Sequence, residues 1–404
     1  MRRRTSRQVR TVNGPTTAKS RRMTTLLVIG PTPPPHHGVA MAVRALLDSD
    51  LRRSFQVRHL ELADRRGLQH VDRPDLRDVI LFVAQWFRLL VILVRRRVRL
   101  VYIPLSQSTI GVVRDSLFMW PAYLLGARVV FHLHGGAFRA WYESRSPLMK
   151  AYVRAVLDAS NRMVVLDESF RKLFDGLVPA SCIDVVPNGV SDEGFARSAP
   201  SLRSGRPFRV LYLGTLSRAK GTLVFLEAVG VIAMARRDVE FVLAGEWWRD
   251  EDRIAAEAML RRDCTTDLVW FPGRVEGRQK AELLASSDIF VFPGTQQEGQ
   301  PLVVIEAMAA GLPVVFTGRG CLRNTVSAET GIEVPINDPR ALASAVVRLV
   351  NRPNEIQRMG KAARRRYERC YTLDRFATDM VQVFVRALED GHVPQRVSLV
   401  KDRI

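Results

Sequence analysis

The sequence predicts an α/β protein made of two doubly wound domains, each built on a parallel sheet. Strand-type apolar runs alternate with helical patterns along the chain, which is typical of parallel sheets covered by helices. The length of 404 residues suits two or three domains. A stretch at 197–206 that contains Ser, Pro and Gly separates two such alternating series and is predicted to be a linker.

The elements follow from apolar periodicity and from residues that start or stop helices. In the first series the predicted elements are a strand at Thr25–Gly30, a helix at 39–47, strands at 98–104, 127–132 and 163–166, and a helix that opens at Asp167. A second α/β series begins near Pro207 and includes a strand at 288–293. The last long helix is predicted at 373–388.

The charge is unevenly distributed. Residues 1–190 hold 30 Lys and Arg against 14 Asp and Glu, whereas residues 191–404 hold 31 against 27, so the first half carries most of the formal charge of +20. A basic half predicts an anionic partner. No nucleic acid is expected, because no nucleic-acid module is present and the aromatic residues do not interleave with the arginines. An anionic membrane surface is the favoured partner.

One segment supports a membrane contact. Residues 80–94 are strongly apolar, include Trp86 and Phe87, and are followed by Arg95, Arg96, Arg97 and Arg99. The uncharged runs are shorter than the roughly 20 residues that span a bilayer, so the hypothesis is an amphipathic helix in the membrane interface. The alternative is a buried helix of a doubly wound sheet, capped by solvated arginines.

The cysteines and the N-terminal residues indicate where in the cell the protein is expected. Cys182, Cys264, Cys321 and Cys370 form no C-x-x-C pair, which argues against a disulfide framework or structural zinc and fits a reducing compartment. Residues 1–23 are basic without an apolar run, so they are predicted to be a disordered tail rather than a secretory signal. The expected location is cytoplasmic and peripheral on the inner face of the plasma membrane.

The strongest functional signal is a pair of glutamates, Glu298 and Glu306, in a strand–loop–helix–strand segment. Pro301 and Gly311 bracket an alanine-rich helix. Glu298 is expected on the loop and Glu306 on the helix, whose N-terminal amides and dipole favour an anion. A nucleotide sugar suits this combination, because amides bind its diphosphate and carboxylates bind its hydroxyl groups.

This segment resembles the E-x7-E signature of retaining glycosyltransferases of family 4, which have the GT-B fold. Other segments, in matching order and spacing, resemble further motifs of the family. They are a strand and Gly-x-Leu-x-x-x-Lys-Gly loop at 208–221, a strand at 239–245, a base-binding loop at 269–275, the end of the first domain at 185–190 and a histidine loop at 132–136. The resemblance covers residues 24–390 and implies two Rossmann-like domains that face each other across a cleft.

The resemblance also implies a domain organisation. The predicted parts are a tail (1–23), an acceptor-binding domain (24–196), a nucleotide-sugar-binding domain (197–372), a C-terminal helix that crosses back onto the first domain (373–391) and a tail (392–404). Ligands of doubly wound domains bind at the carboxyl ends of the strands. The active site is therefore expected in the cleft.

Each matching residue acquires an implied role. Lys220 would bind the donor diphosphate, Glu306 the ribose and Glu298 the transferred sugar, while His134 would lie beside the reacting carbon. The candidate catalytic residues are His134, Glu298 and Lys220. The candidate donor-binding residues are Gly38, Arg218, Lys220, Gly245, Arg274, Val275, Glu298, Gly299, Gln300, Pro301, Leu302 and Glu306. The candidate acceptor-side residues are Gly38, His134, Gly135 and Gly136. His132 is expected to be a core residue or a second wall of the pocket.

The chain departs from the family pattern at three positions. Thr215 stands where the family usually has Arg, so Arg218 is the candidate for the second positive charge. Gln300 replaces an aromatic residue, which bears on donor preference. Val39 follows Gly38 where the family often has a second glycine.

No metal site and no cofactor are predicted. His36 and His37 lack an Asp, Glu or Cys partner at a recognisable ligand spacing. The departing nucleoside diphosphate would then be stabilised by Lys220, Arg218 and the helix N-terminus. A UDP- or GDP-sugar is the expected donor substrate.

The resemblance predicts retaining transfer of a sugar to a saccharide or lipid-linked acceptor, in bacterial surface polysaccharide synthesis. One alternative is a GT-B enzyme that is not a transferase, such as a sugar-nucleotide epimerase or a phosphorylase; the E-x7-E segment argues against the first, and no pyridoxal-phosphate lysine context is apparent for the second. The other alternative is a non-catalytic basic protein that binds anionic lipid or nucleic acid. Product analysis and a salt-dependent DNA-binding assay separate these classes.

Overall fold

A computed structural model of the protein describes residues 23–34, 38–62, 76–192, 194–195 and 206–389. Two parallel six-stranded sheets dominate it, with the orders β2-β1-β3-β4-β5-β6 and β12-β11-β10-β7-β8-β9. The first sheet contains β1 (Thr25–Gly30), β2 (Gln56–Glu61), β3 (Leu100–Leu105), β4 (Arg128–Leu133), β5 (Arg162–Val165) and β6 (Ile183–Val185). The second contains β7 (Phe208–Leu213), β8 (Val239–Ala244), β9 (Val269–Gly273), β10 (Ile289–Phe292), β11 (Val314–Thr317) and β12 (Gly331–Val334).

Helices connect the strands of both sheets. They are α1 (Gly38–Asp48), α2 (Leu76–Arg96), α3 (Thr109–Leu124), α4 (Phe138–Glu143), α5 (Pro147–Asp158), α6 (Thr222–Ala235), α7 (Asp250–Arg262), α8 (Gly277–Ser286), α9 (Leu302–Ala309), α10 (Leu322–Thr325), α11 (Pro339–Val350), α12 (Pro353–Cys370) and α13 (Leu373–Glu389). Short 3₁₀ helices cover Asp50–Arg53, Glu168–Phe174, Ala180–Cys182 and Thr266–Leu268. The doubly wound α/β architecture predicted from the sequence is confirmed.

Each sheet is buried on both faces. Successive residues of a strand point to opposite faces, and in β1 Leu27 and Ile29 join one apolar cluster while Leu26 and Val28 join another. Continuous apolar strands of this kind are typical of parallel sheets sandwiched between helices. This burial explains why the strand-type runs were recognisable in the sequence.

The last helix, α13, crosses back onto the first sheet as expected. Its Met380 and Phe384 are buried in the same cluster as Tyr102 and Val130 of β3 and β4. The chain enters α13 beside the earlier crossover, where the Val190 N–H donates to the Tyr371 carbonyl and Val190 accepts from the Leu373 N–H, both at 3.0 Å. The two crossovers between the sheets are therefore held together.

Several predictions need correction or lie outside the described residues. The edge strand β2 was not predicted, and Asp167 opens a 3₁₀ helix rather than an α-helix. Residues 1–22, 35–37, 196–205 and 390–404 are outside the described part, so the N-terminal tail, His36 and His37, most of the linker and the C-terminal tail are not described. The predicted domain limits stay a prediction.

Helix α2 packs on the first sheet with one face and exposes apolar side chains on the other, so each interpretation of residues 80–94 describes one face of it. Leu89 and Leu93 are buried, but Ile80, Phe87 and Val94 are 65, 59 and 72% exposed. Among the described residues, no helix combines the length and the apolar character needed to cross a membrane.

Candidate active site

The glutamate segment lies at the carboxyl end of the second sheet. A loop from β10 leads to α9, which begins at Leu302 directly after Pro301 and ends before Gly311. Gly311 has φ of +70°, a backbone conformation that glycine adopts readily after a helix. The helix start predicted at Pro301 and the helix end predicted at Gly311 are therefore confirmed. Glu298 lies on the loop and Glu306 in the helix, as expected.

Lys220 and Glu298 form an ion pair across this end of the sheet. The Lys220 Nζ atom lies 2.6 Å from Glu298 Oε1, and the two side chains are 28 and 11% exposed. Lys220 belongs to the loop between β7 and α6, and Gly221 caps α6 with φ of +77°. The structure thus brings two of the three candidate catalytic residues into direct contact.

Glu306 is held by a lysine that the sequence did not single out. The Lys280 Nζ atom of α8 donates to Glu306 Oε1 at 2.6 Å, and these side chains are 20 and 8% exposed. The other carboxylate oxygen, Glu306 Oε2, is buried and has no hydrogen-bond partner among the described residues. A buried acceptor of this kind is uncommon in proteins unless it binds a ligand or water. Nothing in the sequence distinguishes Lys280 from its neighbour Arg278, whose side chain is 91% exposed.

The loop before α9 touches the histidine loop of the first sheet. A Cβ atom on Gly299 would lie 1.9 Å from the His134 carbonyl oxygen, so only glycine permits this approach. Gly136 also lies near this loop, because a Cβ atom there would lie 3.1 Å from the Glu298 carbonyl oxygen. The structure therefore places the His134 backbone beside the Glu298 loop; the role of His134 at the reacting carbon stays a prediction.

Gly135 has a structural neighbour that sequence reasoning missed. A Cβ atom on Gly135 would lie 1.8 Å from Gln107 Nε2, and Gln107 Oε1 accepts a hydrogen bond from the Ala137 N–H at 2.7 Å. Gln107 follows β3 and thus supports the histidine loop from the adjacent strand. Gly38, the first residue of α1, is exposed, and a Cβ atom added there would meet nothing within 4 Å among the described residues.

The side chain of Gln300 does not face a donor. Its Oε1 atom accepts from the Asn188 N–H at 2.7 Å, and its Nε2 atom donates to Thr325 Oγ1 at 3.1 Å. Asn188 Nδ2 also donates to the Gln300 carbonyl oxygen at 3.0 Å. Gln300 therefore connects the crossover after β6 with the glutamate loop. A contribution of Gln300 to donor binding stays a prediction that involves its backbone rather than its amide group.

Arg218 and Arg274 are engaged by carboxylates. Arg218 Nε lies 3.2 Å from Asp252 Oδ1, with the Arg218 side chain 69% exposed. Arg274 bonds to Glu276 and lies 3.8 Å from Glu246 Oε1. The expectation that Arg218 supplies a second positive charge to the diphosphate stays a prediction, which would require Arg218 to leave Asp252.

Gly245 and Val275 have packing roles that are visible in the structure. A Cβ atom on Gly245 would lie 1.8 Å from the Gly214 carbonyl oxygen, so glycine allows the ends of β7 and β8 to meet. Val275 packs against the core between the second sheet and α9. Their roles toward a nucleotide stay predictions.

A buried polar cluster lies behind His134. His132 is fully buried and is therefore the core residue that the sequence suggested. Burial lowers the pKa of His132 well below its usual value, and the neighbouring His134 lowers this pKa further. Tyr102, which was not predicted, lies 2.9 Å from His132 Nδ1. Only a correct prediction of the strand register could have brought Tyr102 into the site.

No candidate metal centre is found in the described residues. No group of three or more His, Cys, Asp or Glu side chains there could hold a metal ion. His36 and His37 lie outside the described residues, so the prediction about them is untested.

Solved structures establish the class of fold. The glycosyltransferase from Rickettsia africae ESF-5 has a TM-score of 0.74 at 15% identity, over 91% of this chain and 100% of that chain. Sucrose-phosphate synthase from Thermosynechococcus elongatus has 0.70 at 19% identity, over 90% and 98%. HepE from Anabaena, solved with UDP and glucose, has 0.70 at 15% identity, over 89% and 99%. The protein has a GT-B fold.

Sequence comparison finds similarity over part of the chain. Residues 207–352 match the family model described as glycosyl transferases group 1. A phosphatidyl-myo-inositol mannosyltransferase of Mycobacterium leprae is 32% identical over 194 residues, 45% of this chain and 49% of the relative. A D-inositol 3-phosphate glycosyltransferase of Paenarthrobacter aurescens is 30% identical over 223 residues, 53% and 54%. The chain spans about half the length of these curated relatives.

Proposed function

We propose that the protein transfers a sugar from a UDP- or GDP-linked donor to an acceptor with retention of the anomeric configuration. The observation that carries this proposal is Glu306 Oε2, a buried carboxylate oxygen without a partner among the described residues. Such an acceptor fits a ribose hydroxyl group. Support comes from the family match over 207–352 and from the UDP complex of the similarly folded HepE.

Donor binding would exchange the partner of Lys220. Lys220 Nζ lies 2.6 Å from Glu298 Oε1 and neutralises that carboxylate. A diphosphate carries more negative charge than one carboxylate, so Lys220 would turn to it and Glu298 would accept hydrogen bonds from the transferred sugar. The N-terminal amides of α9 would contribute further to phosphate binding.

In the proposed reaction, the bond between the anomeric carbon and the phosphate oxygen breaks, and the acceptor oxygen forms a new bond on the same face. The leaving phosphate oxygen takes the acceptor's proton, so the products are a nucleoside diphosphate and a glycoside. Lys220 and the α9 amides would stabilise the charge that develops on the leaving group. His134, placed beside the Glu298 loop, would border the reacting carbon.

We further propose that the acceptor is a lipid-linked saccharide at an anionic membrane, where the protein is a peripheral component of the cytoplasmic face. The supporting observation is an apolar ridge on α2. Ile80, Val83, Phe87, Val91 and Val94 recur at helical spacing, and all of them are exposed by 44–72%. An exposed apolar stripe of this extent is unusual in a protein that meets only water.

A second ridge lies on the neighbouring helix α3, where Ile110, Leu117 and Leu124 are exposed by 41–78%. The helices are joined where Trp86 Nε1 donates to the Leu117 carbonyl at 3.1 Å. Exposed arginines lie in the last turn of α2 and directly after it, namely Arg95, Arg96, Arg97 and Arg99. Apolar side chains that enter the acyl boundary beside arginines that meet anionic headgroups would dock the cleft near a lipid-borne acceptor.

A two-stage experiment tests the catalytic proposal. Nucleotide sugars are screened for thermal stabilisation of the purified protein, and each ligand found is then incubated with membrane extract. Proton NMR of the product gives the anomeric configuration. Stabilisation by one nucleotide sugar and a glycoside of retained configuration are expected. Isomerised donor without a glycoside would indicate an epimerase, and an inverted product would contradict retention.

A further inference from the structure

Arg319 is a cation at the candidate active site that the proposed reaction does not use. It follows β11, whereas Lys220 follows β7 and Glu298 follows β10. In the second sheet β10 lies between β7 and β11, so the three residues belong to adjacent loops at the carboxyl ends of neighbouring strands. Ligands of parallel α/β sheets bind at this edge. Arg319 is therefore in a position to meet the same ligand as Lys220.

The guanidinium group of Arg319 is attached to the glutamate loop, which covers residues 293–301 between β10 and α9. The Arg319 Nε atom donates to the Thr295 carbonyl oxygen at 3.1 Å. On its other side, the Thr295 N–H donates to the Ala219 carbonyl oxygen at 3.0 Å, one residue before Lys220. Thr295 thus connects the guanidinium group of Arg319 with the loop that carries Lys220.

The backbone beside Arg319 is packed closely against the glutamate loop. A Cβ atom on Gly320 would lie 1.7 Å from the Glu298 carbonyl oxygen, and the Gly320 N–H donates to Gln297 Oε1 at 3.1 Å. A Cβ atom on Gly294 would lie 3.7 Å from Glu298 Oε1. Arg319 is therefore held beside the part of the loop that borders the Glu298 carboxylate.

Arg319 differs from other cations of the site because it has no carboxylate partner. Three of those cations are each paired with a carboxylate, namely Lys220 with Glu298, Lys280 with Glu306 and Arg218 with Asp252. Within the described part of the chain, no carboxylate lies within 4 Å of the partly exposed Arg319 side chain, and its two terminal nitrogens have no hydrogen-bond partner. A guanidinium group presents its N–H donors in a planar fork that suits phosphate oxygens. The terminal N–H groups of Arg319 are therefore available for an anionic ligand.

We propose that Arg319 supplies the second positive charge to the donor diphosphate, for which Thr215 provides none. This inference rests on the proposed function for the identity of the ligand. The diphosphate would draw Lys220 away from Glu298, and Arg319 would bind phosphate oxygens from the side of β11. Because Arg319 has no carboxylate to leave, its charge is available without the loss of an ion pair.

Arg218 is the rival source of this charge and would have to leave Asp252. The Asp252 side chain is 10% exposed, and its Oδ2 atom also accepts from the Arg218 N–H at 3.1 Å. Separation of the guanidinium group from this carboxylate would leave a buried charge without its cationic partner, which is costly. Recruitment of Arg319 therefore costs less free energy than recruitment of Arg218.

Calorimetry of the purified full-length protein with UDP, GDP and inorganic pyrophosphate tests the assignment. Arg319→Gln should raise the Kd for each of these ligands that the wild type binds about tenfold or more, the effect of one lost charged hydrogen bond. Arg218→Gln should raise these Kd values less, and the reverse order would overturn the assignment. Arg323→Gln is the matched control, because it removes a positive charge from the same segment at a side chain that is 68% exposed and paired with Glu333. This control should bind all three ligands like the wild type, and an equal rise of Kd in the control and in Arg319→Gln would overturn a specific contact.

Nucleosides distinguish a phosphate contact from support of the glutamate loop. Uridine and guanosine carry no phosphate, so their binding, measured by ligand-observed NMR, should be the same in Arg319→Gln and in the wild type. If Arg319 only supported the loop through Thr295, nucleoside binding would weaken as much as diphosphate binding, and this result would overturn the assignment. Arg319→Ala is a second neutral variant, which takes the place of Arg319→Gln if that protein does not fold.

The outcomes for this inference and for the proposed function are distinguishable. An unchanged pyrophosphate Kd in a folded Arg319→Gln protein would overturn the role of Arg319 and leave the proposed function intact. A wild-type protein that binds pyrophosphate but neither UDP nor GDP would count against the proposed function, while the Arg319 variants would still decide the phosphate contact. A wild-type protein that binds none of the three ligands would overturn both.

Discussion

Lys220 Nζ and Glu298 Oε1 lie 2.6 Å apart, although the two residues are 78 positions apart in sequence. The family resemblance implies that one binds phosphate and the other binds sugar. At this distance each charge neutralises the other. Donor binding as proposed above would replace this ion pair with two ligand contacts.

Removal of the charge of Lys220 or of Glu306 should strongly reduce sugar transfer. We expect Lys220→Met and Glu306→Gln to lower kcat/KM by about 10- to 150-fold, because each loses a charged hydrogen bond to ligand of about 1.5–3 kcal/mol. The thermal midpoint of each variant should stay close to that of the wild type. Glu282→Gln, on the exposed part of α8, is the control for Glu306→Gln. Wild-type turnover in both site variants would remove the donor-site assignment.

Lys280 should affect donor binding more than chemistry. Lys280→Met removes the cationic partner of Glu306 Oε1, while Oε2 has no hydrogen-bond partner among the described residues to compensate. We expect the Kd for UDP or GDP, measured by calorimetry, to rise about tenfold or more. Arg278→Met removes a positive charge from the same helix at a site that is 91% exposed and should leave Kd unchanged. Equal effects of the two variants on Kd would show that nucleotide binding depends only on the net charge of the protein.

Transfer should survive excess EDTA. This expectation rests on the described residues, among which no group of three or more His, Cys, Asp or Glu side chains could hold a metal ion. Turnover is measured with the purified enzyme before and after chelation and dialysis. Loss of turnover that Mg²⁺ or Mn²⁺ restores would contradict the prediction and direct attention to His36 and His37.

The surface formed by the exposed apolar ridges of α2 and α3 should bind anionic vesicles through two separable contributions, one electrostatic and one apolar. Changing the arginines to Ser should weaken binding mainly at low salt, because each contributes about 1 kcal/mol within a Debye length of about 8 Å. The substituted residues are Arg95, Arg96, Arg97 and Arg99. Phe87→Ser with Val91→Ser should weaken binding at all salt concentrations, because it removes inserted apolar area. The measurement is co-sedimentation with anionic and neutral liposomes.

The matched control for this face lies on the second domain. Met234 and Ile254 are 83 and 57% exposed there, so Met234→Ser with Ile254→Ser removes comparable exposed apolar surface elsewhere. This control should bind like the wild type. Equal partition of the wild type to neutral and anionic liposomes, or no effect of either α2 variant, would contradict the membrane proposal.

His132 should make stability fall at acidic pH. Burial and the adjacent His134 lower the pKa of His132 in the folded state, and Tyr102 is its hydrogen-bond partner. The unfolded chain protonates His132 near pH 6.5. Its contribution is therefore complete above that pH and is lost below it, by up to about 1.4 kcal/mol per pH unit. We expect the thermal midpoint of His132→Gln to fall less between pH 7 and pH 5 than that of the wild type. His59→Gln is the control, and identical slopes for all three proteins would contradict the prediction.

Much of the fold could be predicted because its strands are apolar on both faces. The strands β1, β4, β5 and β10 and the helix α13 were located within one or two residues for this reason. β2 was missed because it is an edge strand with mixed polar residues, Gln56 and Arg58 among them. Propensity also did not distinguish the 3₁₀ helix after Asp167 from an α-helix, since both share the same N-cap signal.

Site residues could be predicted where a local sequence pattern marks them. They could not be predicted where they join the site only through tertiary contacts. Glu298, Glu306 and Lys220 belong to recognisable loops and helices. Lys280 and Tyr102 join the site only because separate elements pack together, and no local pattern marks them. The side-chain partners of Gln300 were likewise not predictable, because its amide bonds to Asn188 and Thr325 on separate elements; its backbone contact with a donor stays a prediction.

The return of α13 onto the first sheet bears on how the chain folds as it is made. Met380, Phe384 and Ala387 complete a face of a sheet whose strands begin at Thr25. A ribosome releases that sheet long before it releases its covering helix, and domains generally fold as they emerge. The part of that face around Tyr102, which Phe384 contacts in the folded protein, therefore stays uncovered until α13 itself has been released.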